Sequence, residues 1–93
     1  MPSLQRPEVR VVIRILGTLQ EKGDRLRPTQ LQQAARTNYT QMARYLAFLE
    51  LRGLVRVELD GQGDRWVVLT SKGYDAHRFL VSALHSLFVE GRS

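Results

Sequence analysis

Residues 37–55, TNYTQMARYLAFLELRGLV, form a segment of helical length that lies between a cap-rich start and a glycine. Asn38 followed three residues later by Gln41 is typical of a helix N-terminus. Gly53 is typical of the position just after a helix ends. The pattern therefore predicts a helix over 39–52, and the residues around this helix decide the fold.

This helix is predicted to have one apolar and one polar side. Thr40 and Arg44 project away from the apolar side, and Gln41 lies at its margin. Phe48 and Leu51 also project away from it and are candidates for packing under a neighbouring element. At 100° per residue, the residues that share the core-facing arc are Met42, Tyr45, Leu46 and Leu49.

A first amphipathic helix is predicted over 7–22, with proline at its start and Gly23 at its end. Gly17 inside it costs about 1 kcal/mol relative to alanine, so either the helix is strained there or another backbone passes close. The apolar residues at helical spacing are Val9, Val12, Ile13, Leu16 and Leu19.

Between these helices, residues 25–27 alternate and are compatible with a short edge strand. Thr29 and Gln32 match a capping box, which predicts a short second helix over 30–36. Only two residues separate it from the helix that starts at Tyr39. Two helices joined by so tight a turn are typical of a helix-turn-helix.

A β-hairpin follows, because residues 54–59 and 65–70 alternate and are separated by the turn sequence DGQGD. Thr70 or Ser71 then caps a last helix that reaches about Val89. The apolar stripe of this helix is predicted to pair with a second copy in a two-fold dimer, and the alternative is that the whole stripe folds back onto its own domain. It consists of Leu80, Val81, Leu84, Leu87 and Phe88.

The order of elements predicts an α+β fold, a winged helix-turn-helix with an additional C-terminal dimerisation helix. A chain of 93 residues fits one domain, with the winged helix over 7–70 and the C-terminal helix over 71–90. Only the extreme ends, up to about Arg6 and after Glu90, are expected to be loose.

Composition favours an acidic partner. The formal charge is +5, and every cation except Lys22 and Lys72 is arginine, whose planar fork suits phosphates and guanine edges. No cysteine, signal peptide or apolar run of 18 residues occurs, so we expect a cytoplasmic, nucleoid-associated protein without a membrane role.

Several motifs resemble a known family. The segment YTQMARYL over 39–46, the triplet Gly53-Leu54-Val55 and the segment LTSKG over 69–73 are similar to the recognition helix, strand entry and last-helix start of the small archaeal winged-helix DNA-binding family. The resemblance spans about residues 8 to 90. It implies DNA binding through the third helix and the wing, and dimerisation through the last helix, although Met42 replaces the usual leucine and the last helix is shorter.

Other chemistry is poorly supported. Gly61-Gln62-Gly63 lacks the lysine and following helix of a phosphate loop, and His77 and His85 have no further ligand at metal spacing. No hydrolase motif occurs. We therefore expect no catalytic residue, no metal, no cofactor and no small-molecule ligand.

The predicted partners are double-stranded DNA and a second copy of the chain, in a transcriptional regulator or an architectural protein. Trp66 is expected to pack rather than to stack on a base, and Arg6, Arg10 and Arg14 are either phosphate contacts or solvated. The alternative is a winged-helix protein-interaction module that does not bind DNA. The predicted DNA contacts are Asn38, Tyr39, Thr40, Gln41 and Arg44 on the recognition helix, and Arg56, Gln62 and Arg65 on the wing.

Overall fold

The computed structural model describes residues 7–89, in which it contains four helices and a three-stranded antiparallel sheet. The predicted order of elements is confirmed, and so is the winged helix-turn-helix with an added C-terminal helix. The ends expected to be loose lie outside the described residues. The elements are α1 (Val9–Glu21), β1 (Arg25–Leu26), α2 (Pro28–Ala34), α3 (Tyr39–Leu51), β2 (Val55–Leu59), β3 (Arg65–Leu69) and α4 (Ser71–Val89).

The sheet has the order β1-β3-β2, with the hairpin register pairing Val57 with Val67 and Arg56 with Val68. Since side chains alternate along a strand, each such pair lies on one face of the sheet. Val67 is fully buried, so its face is the inner one. Arg56 therefore lies on the outer face, and the register separates the side chains of the wing into two groups.

The core face of α1 is wider than the predicted stripe, and it is turned relative to it. Val11 and Ile15 are buried, whereas Val9 is 41% exposed and Ile13 is half-buried. The apolar residues of α1 cover a broad arc, so the spacing alone did not determine which part of that arc is buried. Ile13 instead borders the groove between α1 and α4. The buried residues of α1 are Val11, Val12, Ile15, Leu16 and Leu19.

Gly17 allows a side chain, rather than a backbone, to approach α1. A Cβ placed at Gly17 would lie 3.0 Å from Nε2 of His77 on α4, which is a tight contact. The imidazole therefore occupies the space that a side chain at position 17 would need. The expectation of strain or of a passing backbone at Gly17 is corrected accordingly.

The start of α2 also differs from the prediction. The helix begins at Pro28, and Oε1 of Gln30 accepts a hydrogen bond of 3.0 Å from the backbone N–H of Arg27. The proposed capping box of Thr29 and Gln32 is therefore wrong. Proline suits the first helical position because its missing N–H has no helical partner there, and this places the helix start two residues earlier.

The turn between α2 and α3 has a left-handed residue, Arg36, with φ of 58°. The N–H of Thr37 donates to the carbonyl of Gln32 at 3.0 Å, and that of Arg36 donates to Gln33 at 3.2 Å. This is a Schellman motif, which ends α2 at Ala34 rather than at Arg36. The next helix begins as predicted, because Oδ1 of Asn38 accepts from the N–H of Gln41 at 2.7 Å.

Thr70 and Gly73 join the winged helix to α4. The Thr70 hydroxyl donates toward the carbonyl oxygens of Gly53 and Leu54, at 2.7 and 3.0 Å, and accepts from the N–H of Gly73 at 3.0 Å. A Cβ on Gly73 would overlap the carbonyl oxygen of Leu54 and approach Cδ1 of Leu69 to 2.8 Å. The first turn of α4 thus lies directly against the entry to β2, which only glycine permits.

Replacing Gly73 with alanine is therefore expected to destabilise the fold by at least about 2 kcal/mol, because the added methyl group meets backbone that cannot move aside cheaply. Gly61→Ala is the matched control, since a Cβ at Gly61 meets nothing within 4 Å and its φ is not positive. Urea unfolding measures both changes. Equal midpoints for Gly73→Ala and the parent would contradict the close contact.

Candidate functional site

The outer face of α3 is open to solvent. Thr40 and Arg44 are exposed, Tyr39 is 77% exposed, and Gln41 is half-buried. Among residues 7–89, Arg44 makes no ion pair and no hydrogen bond that meets the usual distance limits. Its guanidinium is therefore free to bind a partner that approaches this face.

The predicted contact residues on α3 differ in what they are free to do. Oδ1 of Asn38 already accepts a hydrogen bond from the N–H of Gln41, so Asn38 has a structural role as the helix cap.

The two apolar residues predicted to pack under a neighbouring element differ. Phe48 packs against the core, and the Arg52 guanidinium lies 4.1 Å from the centre of its ring. Leu51, by contrast, is 82% exposed, so it packs under neither the wing nor the last helix.

The wing presents Arg65 and Arg56 on opposite faces. Arg56 is paired with Glu58 at 2.8 Å on the outer face. Arg65 pairs in register with Leu59, on the inner face that continues from Val67. Within the described part of the chain Arg65 has no acidic partner within 4.0 Å. The two wing arginines are therefore not equivalent, and only Arg65 is unpaired.

Arg65 borders a groove of about 260 Å³ between α3 and the wing. The floor of the groove is apolar and includes Met42 and Val67, while Tyr39 and Ala43 belong to its α3 side. The groove therefore lies between α3 and Arg65 of the wing. The other lining residues are Pro28, Thr29, Gln32, Leu46, Ala47, Glu50 and Val57.

The outer face of the wing is closed by a cluster around Trp66. The guanidinium of Arg25 lies 4.2 Å from the centre of the indole ring, and that of Arg27 lies 5.0 Å from it. Arg27 also pairs with Asp64 at 3.3 Å. Trp66 is thus half-buried and in contact with two guanidinium groups, as expected for a packing role.

Asp60 holds the wing turn. Its Oδ2 accepts from Nε1 of Trp66 at 3.0 Å, and its Oδ1 accepts from the N–H groups of Gln62 and Asp64 at 2.8 and 2.9 Å. These hydrogen bonds lower the pKa of the Asp60 carboxyl below its ordinary value of 3.8, and the bond from Trp66 contributes most. The carboxylate is therefore ionised at neutral pH and fixes the loop that presents Gln62, whose side chain is exposed.

The apolar stripe of α4 is only partly covered. Leu80 packs against the core and Leu84 is half-buried. Val81, Leu87 and Phe88 are 43%, 69% and 72% exposed. The stripe therefore does not fold back onto its own chain as a whole, and its last two turns leave large apolar side chains in solvent.

Hydropathy patterning missed a second exposed part of α4. Phe79 is 69% exposed, and at 100° per residue it lies on the opposite side of the helix from Phe88. Tyr74 is 40% exposed and shares a side with Val81 and Phe88 at seven-residue spacing. The apolar surface of α4 is therefore broad, and α1 covers only its middle.

The arginines of α1 also separate into different roles. Nε of Arg14 donates a hydrogen bond of 2.7 Å to the carbonyl of Ala35, so this residue caps α2 rather than being simply solvated. Arg10 is exposed. Arg6, the third of these candidates, lies outside the described residues.

Two further properties concern the described residues only. Over residues 7–89 no group of three or more His, Cys, Asp or Glu side chains is placed to hold a metal ion. None of the helices there is long and apolar enough to cross a membrane.

Comparison with known proteins finds similar solved structures. No protein-family model and no curated protein matches the chain. The structure is similar to that of F93 from STIV, described as a winged-helix DNA-binding protein, with a TM-score of 0.79. The two are 18% identical over 90% of this chain and 97% of the other.

Two other similar structures come from cellular organisms. The DNA-binding protein Sso10a-2 from Sulfolobus solfataricus has a TM-score of 0.73 and 18% identity over 85% of this chain and 79% of its own. A MarR-family transcriptional regulator from Silicibacter pomeroyi has a TM-score of 0.65 and 31% identity over 89% of this chain. This chain spans 58% of the length of that regulator. The resemblance seen in the motifs is thus confirmed at the level of the fold.

Proposed function

We propose that the protein binds double-stranded DNA as a homodimer and acts as a transcriptional regulator. The observation that carries the proposal is the arrangement of Arg44 and Arg65. One is an unpaired cation on the outer face of α3, and the other is an unpaired cation on the adjoining inner face of the wing. The similar structures described as DNA-binding proteins support it.

In this proposal α3 enters the major groove and the wing follows the backbone. Thr40 and Gln41 hydrogen-bond base edges or phosphates from the first turn of α3, and Arg44 matches the paired acceptors of guanine. Arg65 then neutralises a phosphate beside the DNA major groove. This contact fixes the position of the protein along the DNA but does not recognise the base sequence. Arg56 contributes less than the sequence suggested, because Glu58 already neutralises it.

The second copy is proposed to cover the exposed stripe of α4. Leaving apolar surface in water costs about 25 cal/mol per Å², so Val81, Leu87 and Phe88 favour burial against another molecule. A two-fold pair would place two α3 helices roughly 34 Å apart, which matches one turn of DNA and favours an inverted-repeat site.

Arg44→Ala is expected to weaken binding to the preferred duplex by about 1 to 3 kcal/mol and to leave binding to unrelated duplexes nearly unchanged, because the lost contact is to a base edge. The preferred duplex is first selected from a random pool, and titrations then compare the variants on it. Arg78→Ala is the control, since it removes the same charge from an exposed position on α4. Arg78→Ala should bind the selected site as tightly as the parent. If Arg44→Ala also did so, α3 would not be the helix that recognises the DNA sequence.

Arg65→Ala and Arg56→Ala form a matched pair on the wing. Arg65→Ala is expected to reduce the slope of log K against log salt by about one unit for each protomer bound, as the loss of a phosphate contact does. Arg56→Ala should change it by less than half as much, since its guanidinium faces the outer side and is paired. Titrations over a range of salt concentrations measure both slopes. Duplex binding that is absent even at low salt would instead favour a protein-interaction module.

Phe88→Glu is expected to shift the protein from dimer to monomer, because it introduces a charge into the proposed interface. Phe88 suits this test better than the half-buried Leu84, because its 72% exposure means that the substitution spares the core. Ser82→Glu adds the same charge on the polar side of α4 and serves as the control. Sedimentation at tens of micromolar distinguishes the species. A parent that is monomeric at that concentration would contradict the proposed dimer.

A further inference from the structure

Arg36 occupies a backbone conformation that its residue type disfavours. It is the left-handed residue of the Schellman motif that ends α2, with φ of 58°. Glycine is the usual residue there, because a Cβ crowds the following carbonyl oxygen in this conformation. Within residues 7–89, the other positions with positive φ are Gly23, Gly53 and Gly63, together with Asp24.

Internal contacts do not explain the arginine. Arg36 is exposed, and among residues 7–89 its side chain makes no ion pair, no hydrogen bond and no contact with an aromatic ring. The Schellman hydrogen bonds use only its backbone and that of its neighbours. A glycine would form the same turn with less strain. The Arg36 side chain therefore makes no contact within residues 7–89 that explains why arginine occupies this position.

The turn between α2 and α3 is also held in place by a hydrogen bond from α1. Nε of Arg14 binds the carbonyl of Ala35, the residue directly before Arg36. The backbone position of Arg36 is therefore fixed by α1, and its side chain begins two residues before Asn38, the cap of α3. Since two residues span at most about 7 Å, the Cα atom of Arg36 lies within about that distance of the Cα atom of Asn38, and its long side chain starts close to the N-terminus of α3.

We infer that Arg36 is a further phosphate contact of the DNA interface, at the turn that leads into α3. The inference rests on the proposed function. With Arg65 on one side and Arg36 at the helix start, the two arginines hold the backbone at separate points around α3, while Arg44 faces the bases. The strained arginine is then explained by binding, because phosphate contacts favour its side chain over the glycine that the turn alone would favour.

The test is Arg36→Gly, which separates stability from binding. Relief of the left-handed strain is expected to raise the melting temperature by roughly 2 to 5 °C. Duplex affinity should fall on the order of tenfold at low salt, and the salt slope should decrease by about one unit for each protomer bound. A purely structural residue would not combine higher stability with weaker binding.

Two controls complete the experiment. Asp24→Gly relieves the other non-glycine residue of positive φ in the described part of the chain, at 74°, and should raise stability without weakening binding. Arg36→Lys keeps the charge and should retain the parent's salt slope. If Arg36→Gly binds with the parent's affinity and slope, this inference is overturned while the proposed function stands. If the parent binds no duplex at low salt, both are overturned.

Discussion

The contact between Gly73 and the carbonyl of Leu54 determines how the two parts of the structure are joined. It brings the first turn of α4 against the entry to β2, directly after α3 ends. Thr70 strengthens this junction, because one hydroxyl group both donates to the backbone at the end of α3 and caps α4. The direction in which α4 leaves is thus fixed relative to α3. Any pairing through α4 would therefore also fix the relative positions of two α3 helices.

The wing depends on a second constraint, which is the parity of the hairpin register. A shift of one residue would exchange the faces of Arg65 and Trp66. In the observed register the aromatic residue and the acidic residues lie with Arg25 and Arg27 on the outer side, and Arg65 lies toward α3. Asp60 fixes this arrangement from the turn. The acidic residues of the wing therefore serve its structure rather than simply lowering its charge.

Much of the fold was predictable from the sequence because its signals are local. The cap at Asn38, the glycine after α3 and the alternation of the hairpin each depend on a few neighbouring residues. The core face of α1 was less predictable, because its apolar arc is broad and the neighbouring elements decide which part of the arc is buried. The start of α2 was predictable in principle from Pro28, but the Thr29 pattern suggested a competing cap.

The candidate site was harder to predict, because its decisive features depend on pairing across the chain. Both faces of β3 contain apolar residues, so the sequence alone could not assign Arg65 to the inner face or pair Arg56 with Glu58. Arg36 had no signal at all, since the glycine that usually marks such a turn is missing. Arg14 was likewise ambiguous, because its hydrogen-bond partner is 21 residues away.

These pairings change what the basic composition means. Five of the ten arginines in the described part of the chain make internal contacts, namely Arg14, Arg25, Arg27, Arg52 and Arg56. Of the other five, Arg36, Arg44 and Arg65 lie at the start of α3, on its outer face and on the adjoining wing. A high net charge alone says little about a binding surface, since cations can be used within the fold. An anionic partner is indicated instead by these three exposed arginines, because their charges are not used in ion pairs within residues 7–89.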